Sequence, residues 1–489
     1  MKSFSKLLAT CAMGVGLLVG CADMRGLQPA ESLRDSASLQ AAHALAGTAH
    51  SPAAWPTTDW WHAMHDAQLD TLMNEALATS PTLSVAAART RKALAAANAS
   101  QAPLYPRVDA SAASTRERFS ANGLTPPPDG GSWQTLDQLQ LTLAWEIDFW
   151  GKNRAAYASA LGAARAAEVD AFAARLALTT DIGQAYAQLQ RAFVRRDVAD
   201  TTLRDREQVL ALTRDRNNAG LDSKVELKQA ESALPATREE IAQIDERIAV
   251  LRNQIAALLG AGPDRGLAIA RPAAATLTQI ALPSVLPAQL LGRRPDLTAQ
   301  RWRVEAAAQD IASAKGAFYP NVNLLAFVGL QSLAGGNLLT AASGMAGAGP
   351  ALTLPIFDAG RLRASLAGKD ADYDVAVGQY NQALADAMRD VVDQLAAMRS
   401  VDAQRAQQAA ALRTAHEAYE LALLRYREGL GNYLQVLSAE QPMLAQQSLR
   451  ADLDARELEV SINLVRALGG GFEPSPAIAG IASNTPGQP

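Results

Sequence analysis

Between Lys152 and Asn218 the chain runs 67 residues without a proline, and the stretch from Arg361 to Glu428 matches it. At 1.5 Å per residue, a helix of that length extends roughly 100 Å, more than one globular domain can use. Both runs are entered in the same way, through WEIDFWGKNR (145–154) and LPIFDAGRLR (354–363). Upstream of the first, Leu139, Leu141, Leu143, Trp145 and Ile147 alternate with Gln138, Gln140, Thr142, Ala144 and Glu146, the period of a strand with two unlike faces. The chain therefore passes twice from strand to very long helix, each time at a glycine followed by a basic residue.

The two passages belong to a duplication. Residues 80–108 lie over 294–322 at an offset of 214, matching Pro81/Pro295, Leu83/Leu297, Arg89/Arg303, Ala93/Ala307, Tyr105/Tyr319, Pro106/Pro320 and Val108/Val322. Further on the offset becomes 209 and holds for Ile147/Ile356, Gly151/Gly360, Arg154/Arg363, Gly220/Gly429, Leu221/Leu430, Ala230/Ala439 and Glu231/Glu440. One length change between the Tyr-Pro pair and the glycine-basic pair accounts for both offsets. Each unit reads helix, Tyr-Pro, strand, loop, strand, long helix, tight turn, helix. Pro106 and Pro320 end their incoming helices, having no N–H and restricting the residue before them.

The strands form two hairpins. Val322, Leu324, Ala326, Val328 and Leu330 alternate with Asn323, Leu325, Phe327 and Gly329, and Leu352, Leu354 and Ile356 share a face opposite Ala351, Thr353 and Pro355. The strand at 107–119 is polar on both faces, and 122–132 and 333–349 read as connecting loops. The glycines of the second loop lack the Gly-Lys-Ser/Thr of a phosphate loop. These strands have about the 9–11 residues needed to cross a bilayer at a tilt, and Trp145, Phe149 and Trp150 suit an interfacial girdle. A soluble sheet covered by the helices is the other reading of the same alternation. Four strands have open edges that hydrocarbon does not tolerate, and known barrels start at about eight strands. An open pore needs about twelve, hence three copies or more.

The N-terminus predicts export. Lys2 and Lys6 precede an apolar run, Leu7 to Val19, too short to span a bilayer as a helix. The run closes on Leu18-Val19-Gly20-Cys21, which resembles a lipoprotein signal: cleavage before Cys21, then acylation. Ala22 lacks the aspartate that the lipoprotein pattern links to inner-membrane retention. Removing residues 1–20 takes away two lysines and no acid, so the net charge goes from −4 to −6, with no basic footprint for nucleic acid. Cys11 leaves with the signal, so no internal disulfide can form.

The chain resembles the TolC family of outer-membrane factors, in particular the NodT-like lipoprotein channels of RND-type multidrug efflux systems. The resemblance covers about 55–471 and is carried by Cys21, Asp59-Trp60-Trp61 with Asp66 through Leu72, both Tyr-Pro pairs, Trp145-Glu146-Ile147-Asp148 with Gly151-Lys152, Pro355-Ile356-Phe357-Asp358 with Gly360-Arg361, both tips, and Ala467-Leu468-Gly469-Gly470-Gly471. It implies an α+β membrane protein, a homotrimer whose twelve-stranded β-barrel, four strands per chain, continues into a long periplasmic α-helical barrel. It also implies outer-membrane lipid around the barrel, a periplasmic adaptor (membrane fusion protein) and an inner-membrane RND-type pump as partners, and no cofactor beyond the lipid on Cys21. The expected organisation is a signal peptide (1–20), an acylated linker (21–58), a first repeat (59–270) with its hairpin at about 106–148 and helices 152–218 and 223–259, a second repeat (271–471) with helices 293–317, 361–428 and 432–468 and its hairpin at about 320–358, and a tail (472–489).

Function is expected at three places. The junctions hold Trp150, Gly151, Lys152, Gly360 and Arg361. The tips hold Arg216, Gly220, Leu221 and Ser223 and, in the second repeat, Arg425, Gly429, Leu430 and Asn432, with each glycine at a reversal and Ser223 and Asn432 as N-caps. By resemblance the tips form the periplasmic mouth and meet the adaptor, and Tyr426 and Glu226 stand at its linking positions. The acidic ring positions of the family hold Gly431, Gln435 and Ser438 here, so Asp222 and Glu226 are the candidate gate charges, with Tyr426 and Gln435 beside them. Pro235 and Pro442, about four turns beyond the tips, are candidate hinges. His62, His65 and Asp66 have spacing for one side of a metal site but no visible further ligands, and no catalytic constellation is present. An exit duct for type I protein secretion and a lipid-anchored periplasmic scaffold without a pore are the competing functions.

Overall fold

The computed structural model describes residues 24–35, 38, 55–273, 292–333 and 336–473. The signal sequence, Cys21, the linker histidines His43 and His50, and the tail beyond 473 lie outside the described residues. In chain order the helices are α1 (Ala67–Thr79), α2 (Pro81–Gln101), α3 (Lys152–Asn218), α4 (Lys224–Leu258), α5 (Pro263–Leu267), α6 (Pro295–Gly316), α7 (Arg361–Arg427) and α8 (Tyr433–Ala467). The strands are β1 (Arg107–Arg118), β2 (Trp133–Ile147), β3 (Asn321–Leu333) and β4 (Gly344–Thr353). No described helix is long and apolar enough to cross a membrane. Pro235 and Pro442 lie inside α4 and α8, which continue past them.

Two compact units share the chain. The first holds residues 24–33, Arg89–Ala167 and the described residues of Ala299–Asn381. Its sheet is antiparallel in the order β1-β2-β3-β4, so the two hairpins join through β2 and β3, and β1 and β4 are left as edges. The register brings the apolar rows together: Ala110 faces Leu141, Leu141 faces Val328, and Val328 faces Ala346. One step along, Val108, Leu143, Ala326 and Ala348 form the next row. Val108, Leu139, Leu141, Val328 and Leu352 on this face are all exposed, an apolar surface that the chain itself does not cover. The helical part of this unit packs Ile311, Phe318 and Leu366 together with Met24 and Leu27 of the N-terminal segment.

The second hairpin departs from expectation. Residues 344–349, read as loop, are the first six of β4, and the strand ends at Thr353, leaving Leu354 and Ile356 outside it. GMAGAG carries too little side-chain bulk to show alternation, and Pro355 cannot donate to a ladder.

The second unit comprises the described residues of Arg34–Ala88 and Glu168–Thr298 together with 382–473. Its largest core gathers Trp61, Leu69, Leu72, Met73, Ile182, Tyr186, Leu189, Leu251 and Ile255. Asp66 organises this corner: one carboxylate oxygen caps α1 through the N–H groups of Gln68 (2.9 Å) and Leu69 (3.1 Å). Its other oxygen accepts from the Tyr186 hydroxyl at 2.7 Å. His62 lies 2.7 Å from Asp70, so the carboxylates near the histidine pair serve in packing.

Candidate functional site: the strand-to-helix junctions and the hairpin tips

Each junction is built by an aspartate and a glycine. Gly151 has φ +75° and Gly360 has φ +85°, left-handed values that glycine takes without a Cβ penalty. Asp148 then accepts from the Arg154 N–H at 2.8 Å, and Asp358 from the Leu362 N–H at 2.9 Å, so each carboxylate satisfies an orphan donor of a long helix and favours its positive end. Lys152 pairs with Glu146 at 2.6 Å. The Tyr-Pro turns are held by indoles: Trp145 donates to Leu104 O at 3.2 Å and Trp150 to Pro320 O at 2.8 Å. Trp150 also stacks on Tyr319 with ring centroids 4.7 Å apart. Phe149, Ile356 and Phe357 remain exposed beside them. Arg361, the basic residue of the second junction, is exposed.

At the tips, each long helix reverses through the expected glycine. Gly220 (φ +75°) and Gly429 (φ +72°) follow the last helical turn. Leu221 N–H returns to Arg216 O, and Leu430 N–H to Arg425 O, each at 2.8 Å, the paired closure of a glycine C-cap. Ser223 and Glu226 form a capping box on α4, and Asn432 caps α8 by accepting from the Gln435 N–H at 3.1 Å. The Glu226 side chain therefore acts within its own helix start, whereas Gln435 contributes there only its backbone N–H. Leu221 and Leu430 stand exposed at the ends of the turns.

A buried link joins the two tips. The Arg216 guanidinium donates to Asp222 (Nε at 3.0 Å, Nη2 at 3.3 Å) and to Tyr426 O (3.0 Å), and stands 4.6 Å over the Tyr426 ring. The Tyr426 hydroxyl donates to Asp222 at 2.5 Å and lies 2.9 Å from the Thr213 hydroxyl. The side chains of Arg216 and Asp222 are only 11% and 6% exposed, and Tyr426 and Thr213 are fully buried. Burial, then the Asp222 hydrogen bond and charge, push the Tyr426 phenol up to about 12. Of the candidate gate charges, Asp222 makes the inter-tip contact and Glu226 does not. Further along the helices is a second link that the sequence reading missed. Arg206 forks onto both carboxylate oxygens of Glu440 (2.9 and 3.1 Å) and donates to the Thr237 hydroxyl at 2.8 Å. Its signal was present: Glu440 falls on the step Val436, Glu440, Met443, and a charge on an apolar seam needs a partner there.

The model of the outer membrane efflux protein family matches residues 72–261 and 286–470. The chain belongs to that family. The two matched stretches track the two repeats, and the family is one of efflux ducts, not of enzymes. The chain is 32% identical to the multidrug resistance outer membrane protein MdtP of Shigella flexneri, covering 98% of this chain and 99% of that one. It is 38% identical to the fusaric acid resistance protein FusA of Burkholderia cepacia over 74% of this chain and 69% of the relative. The crystal structure of VceC from Vibrio cholerae superposes with a TM-score of 0.81 at 37% identity, covering 86% of this chain and 100% of that one. The outer-membrane channel OprN gives the same TM-score at 26% identity, over 91% and 98% of the two chains. This member of the family is thus an efflux channel of the outer membrane with the TolC-like α+β fold.

Proposed function

We propose that three copies of this chain close their sheets into one twelve-stranded barrel and that this trimer is the exit duct of a tripartite efflux machine. The observation that carries the reading is the four-stranded sheet, apolar on one exposed face and unpaired at both β1 and β4. Hydrocarbon does not tolerate open edges, so a second copy must supply the neighbour of each, and cyclic repetition closes the ring. A periplasmic adaptor and an inner-membrane pump of the RND type supply cargo, which by the names of the relatives comprises drugs and small toxic compounds. The tips form the inner mouth and meet the adaptor; the Arg216–Asp222–Tyr426 link holds that mouth shut.

Cys21 carries the covalent lipid. Met24, three residues on, packs with Leu27 against Ile311, Phe318 and Leu366, and Arg363 donates to Arg25 O at 3.2 Å. Phe318 directly precedes the Tyr319-Pro320 turn into β3.

Native mass measurement of the detergent-solubilised protein, together with planar-bilayer conductance, tests the assembly. A trimer that conducts once Asp222→Ala has broken the link is expected; a monomer, or a link-broken trimer without conductance, would overturn the reading. Palmitate incorporation lost in Cys21→Ser tests the anchor. Drug susceptibility compared with secreted-protein profiles in a deletion strain separates efflux from protein secretion.

A further inference from the structure

The face of the sheet opposite the lipid row is divided. On β1 and β2 it presents Asp109, Gln140 and Thr142, whereas on β3 and β4 it presents Leu325, Phe327 and Met345. Phe327 stands directly opposite Gly347 in the ladder. A Cβ placed on Gly347 would lie 2.6 Å from Phe327 Cε1 and 2.7 Å from Cζ. The far end of the ring therefore rests on the neighbouring strand where a side chain would otherwise be, an aromatic laid over a cross-strand glycine.

We propose that the Phe327–Gly347 pair sets the free bore of the channel. The inference rests on the barrel reading, in which this face lines the lumen and the pair occurs once per subunit at one level. With the ring flat on Gly347, the wall stays thin and bulky cargo passes. Any side chain at 347 lifts the ring, whose tip is the part free to move, into the lumen from every subunit at once. The restriction lies in the barrel, so it is independent of whether the periplasmic mouth is open.

Asn323 lies on the same face, four residues nearer the periplasmic end of β3 than Phe327. A thiol reagent entering from outside must pass Phe327 to reach it. Asn323→Cys in the otherwise intact channel on whole cells is treated with a small maleimide and with a bulky polymer-linked maleimide, using the parent chain as background. Gly347→Ala is expected to slow bulky labelling at least fivefold while leaving the small reagent unaffected, and adding Phe327→Ala restores the rate. Equal bulky rates with and without Gly347→Ala, or no rescue by Phe327→Ala, overturn the proposal. Phe327→Trp with Gly347 retained decides even where Gly347→Ala fails to assemble. A ring lying on the wall leaves the bulky rate unchanged, and a fall shows that the side chain stands in the lumen. If even the small reagent fails to label Asn323→Cys, the barrel reading itself is wrong and the proposal falls with it.

Discussion

The Tyr426 hydroxyl donates to the Asp222 carboxylate at 2.5 Å, across the two hairpin tips. Arg216 binds the same carboxylate and the Tyr426 carbonyl, so one aspartate ties the start of α4 to the ends of both α3 and α7. A hydrogen bond to a charged group contributes about 1.5–3 kcal/mol, and removing one partner of a buried ion pair costs about 3–5 kcal/mol. Tyr426→Phe is therefore expected to raise single-channel open probability about tenfold, since about 1.4 kcal/mol is a factor of ten. Asp222→Ala is expected to raise it further, because it also strands Arg216. Bilayer recordings that show the parent conductance in both variants would remove the link from the gate.

The same contact predicts an alkaline response. Burial and the Asp222 contact hold the Tyr426 phenol up to about 12, against an ordinary value of 10.0. A group raised in this way contributes fully while neutral, below pH 10, and loses its contribution as the pH climbs from 10 through 12. Tyr419 and Tyr433 are also pushed up to about 12, each first by burial and then by the charge of Glu440. Conductance is expected to be flat from pH 7 to 10 and to rise above it, with a smaller rise in Tyr426→Phe. A rise centred well below pH 10 would place the titrating group elsewhere.

How much of this was legible depended on bulk and on partners. β2 shows itself because Leu139, Leu141 and Leu143 alternate with smaller or polar residues, and β3 because Val322, Leu324 and Val328 recur at period two in a short apolar run after Pro320. β4 does not, since Gly344, Ala346 and Ala348 gain their meaning only from the ladder to β3. The tip turns were visible because a reversal after a long helix demands a left-handed residue, and Gly220 and Gly429 supply it. Asp222 was a candidate charge by position, but its contact with Tyr426 spans 204 residues of sequence, and no local pattern encodes that. The Arg206–Glu440 pair spans 234 residues: Glu440 on its apolar step signalled that a partner was needed, but nothing local said that Arg206 was that partner.

Docking at the tips is testable without touching the link. A Cβ on Gly220 meets nothing within 4 Å, so a side chain there projects into open space; the left-handed backbone adds a local cost of about 1–2 kcal/mol. Gly220→Trp is expected to leave trimers in the outer membrane at parent levels while abolishing drug resistance, because the indole occupies the surface assigned to the adaptor. Minimum inhibitory concentrations equal to those of the parent, with normal trimer levels, would reject Gly220 as part of that surface.

A last prediction concerns stability in the first unit. Asp370 on α7 is 5% exposed, and neither of its carboxylate oxygens has a hydrogen-bond partner among the described residues. One turn before it is Leu366, fully buried, whereas the adjacent Lys369 turns to Asp310 and Asp372, each at 3.2 Å. The lysine charge is thus used by other acids. An unsatisfied buried charge costs more than an unsatisfied buried amide of the same size, so Asp370→Asn is expected to stabilise the folded chain by about 1–3 kcal/mol. Thermal unfolding of the solubilised protein at neutral pH checks this. A lower midpoint in Asp370→Asn would mean that assembly brings the carboxylate a cationic partner, and the arginines and lysines of a neighbouring subunit would be the place to look.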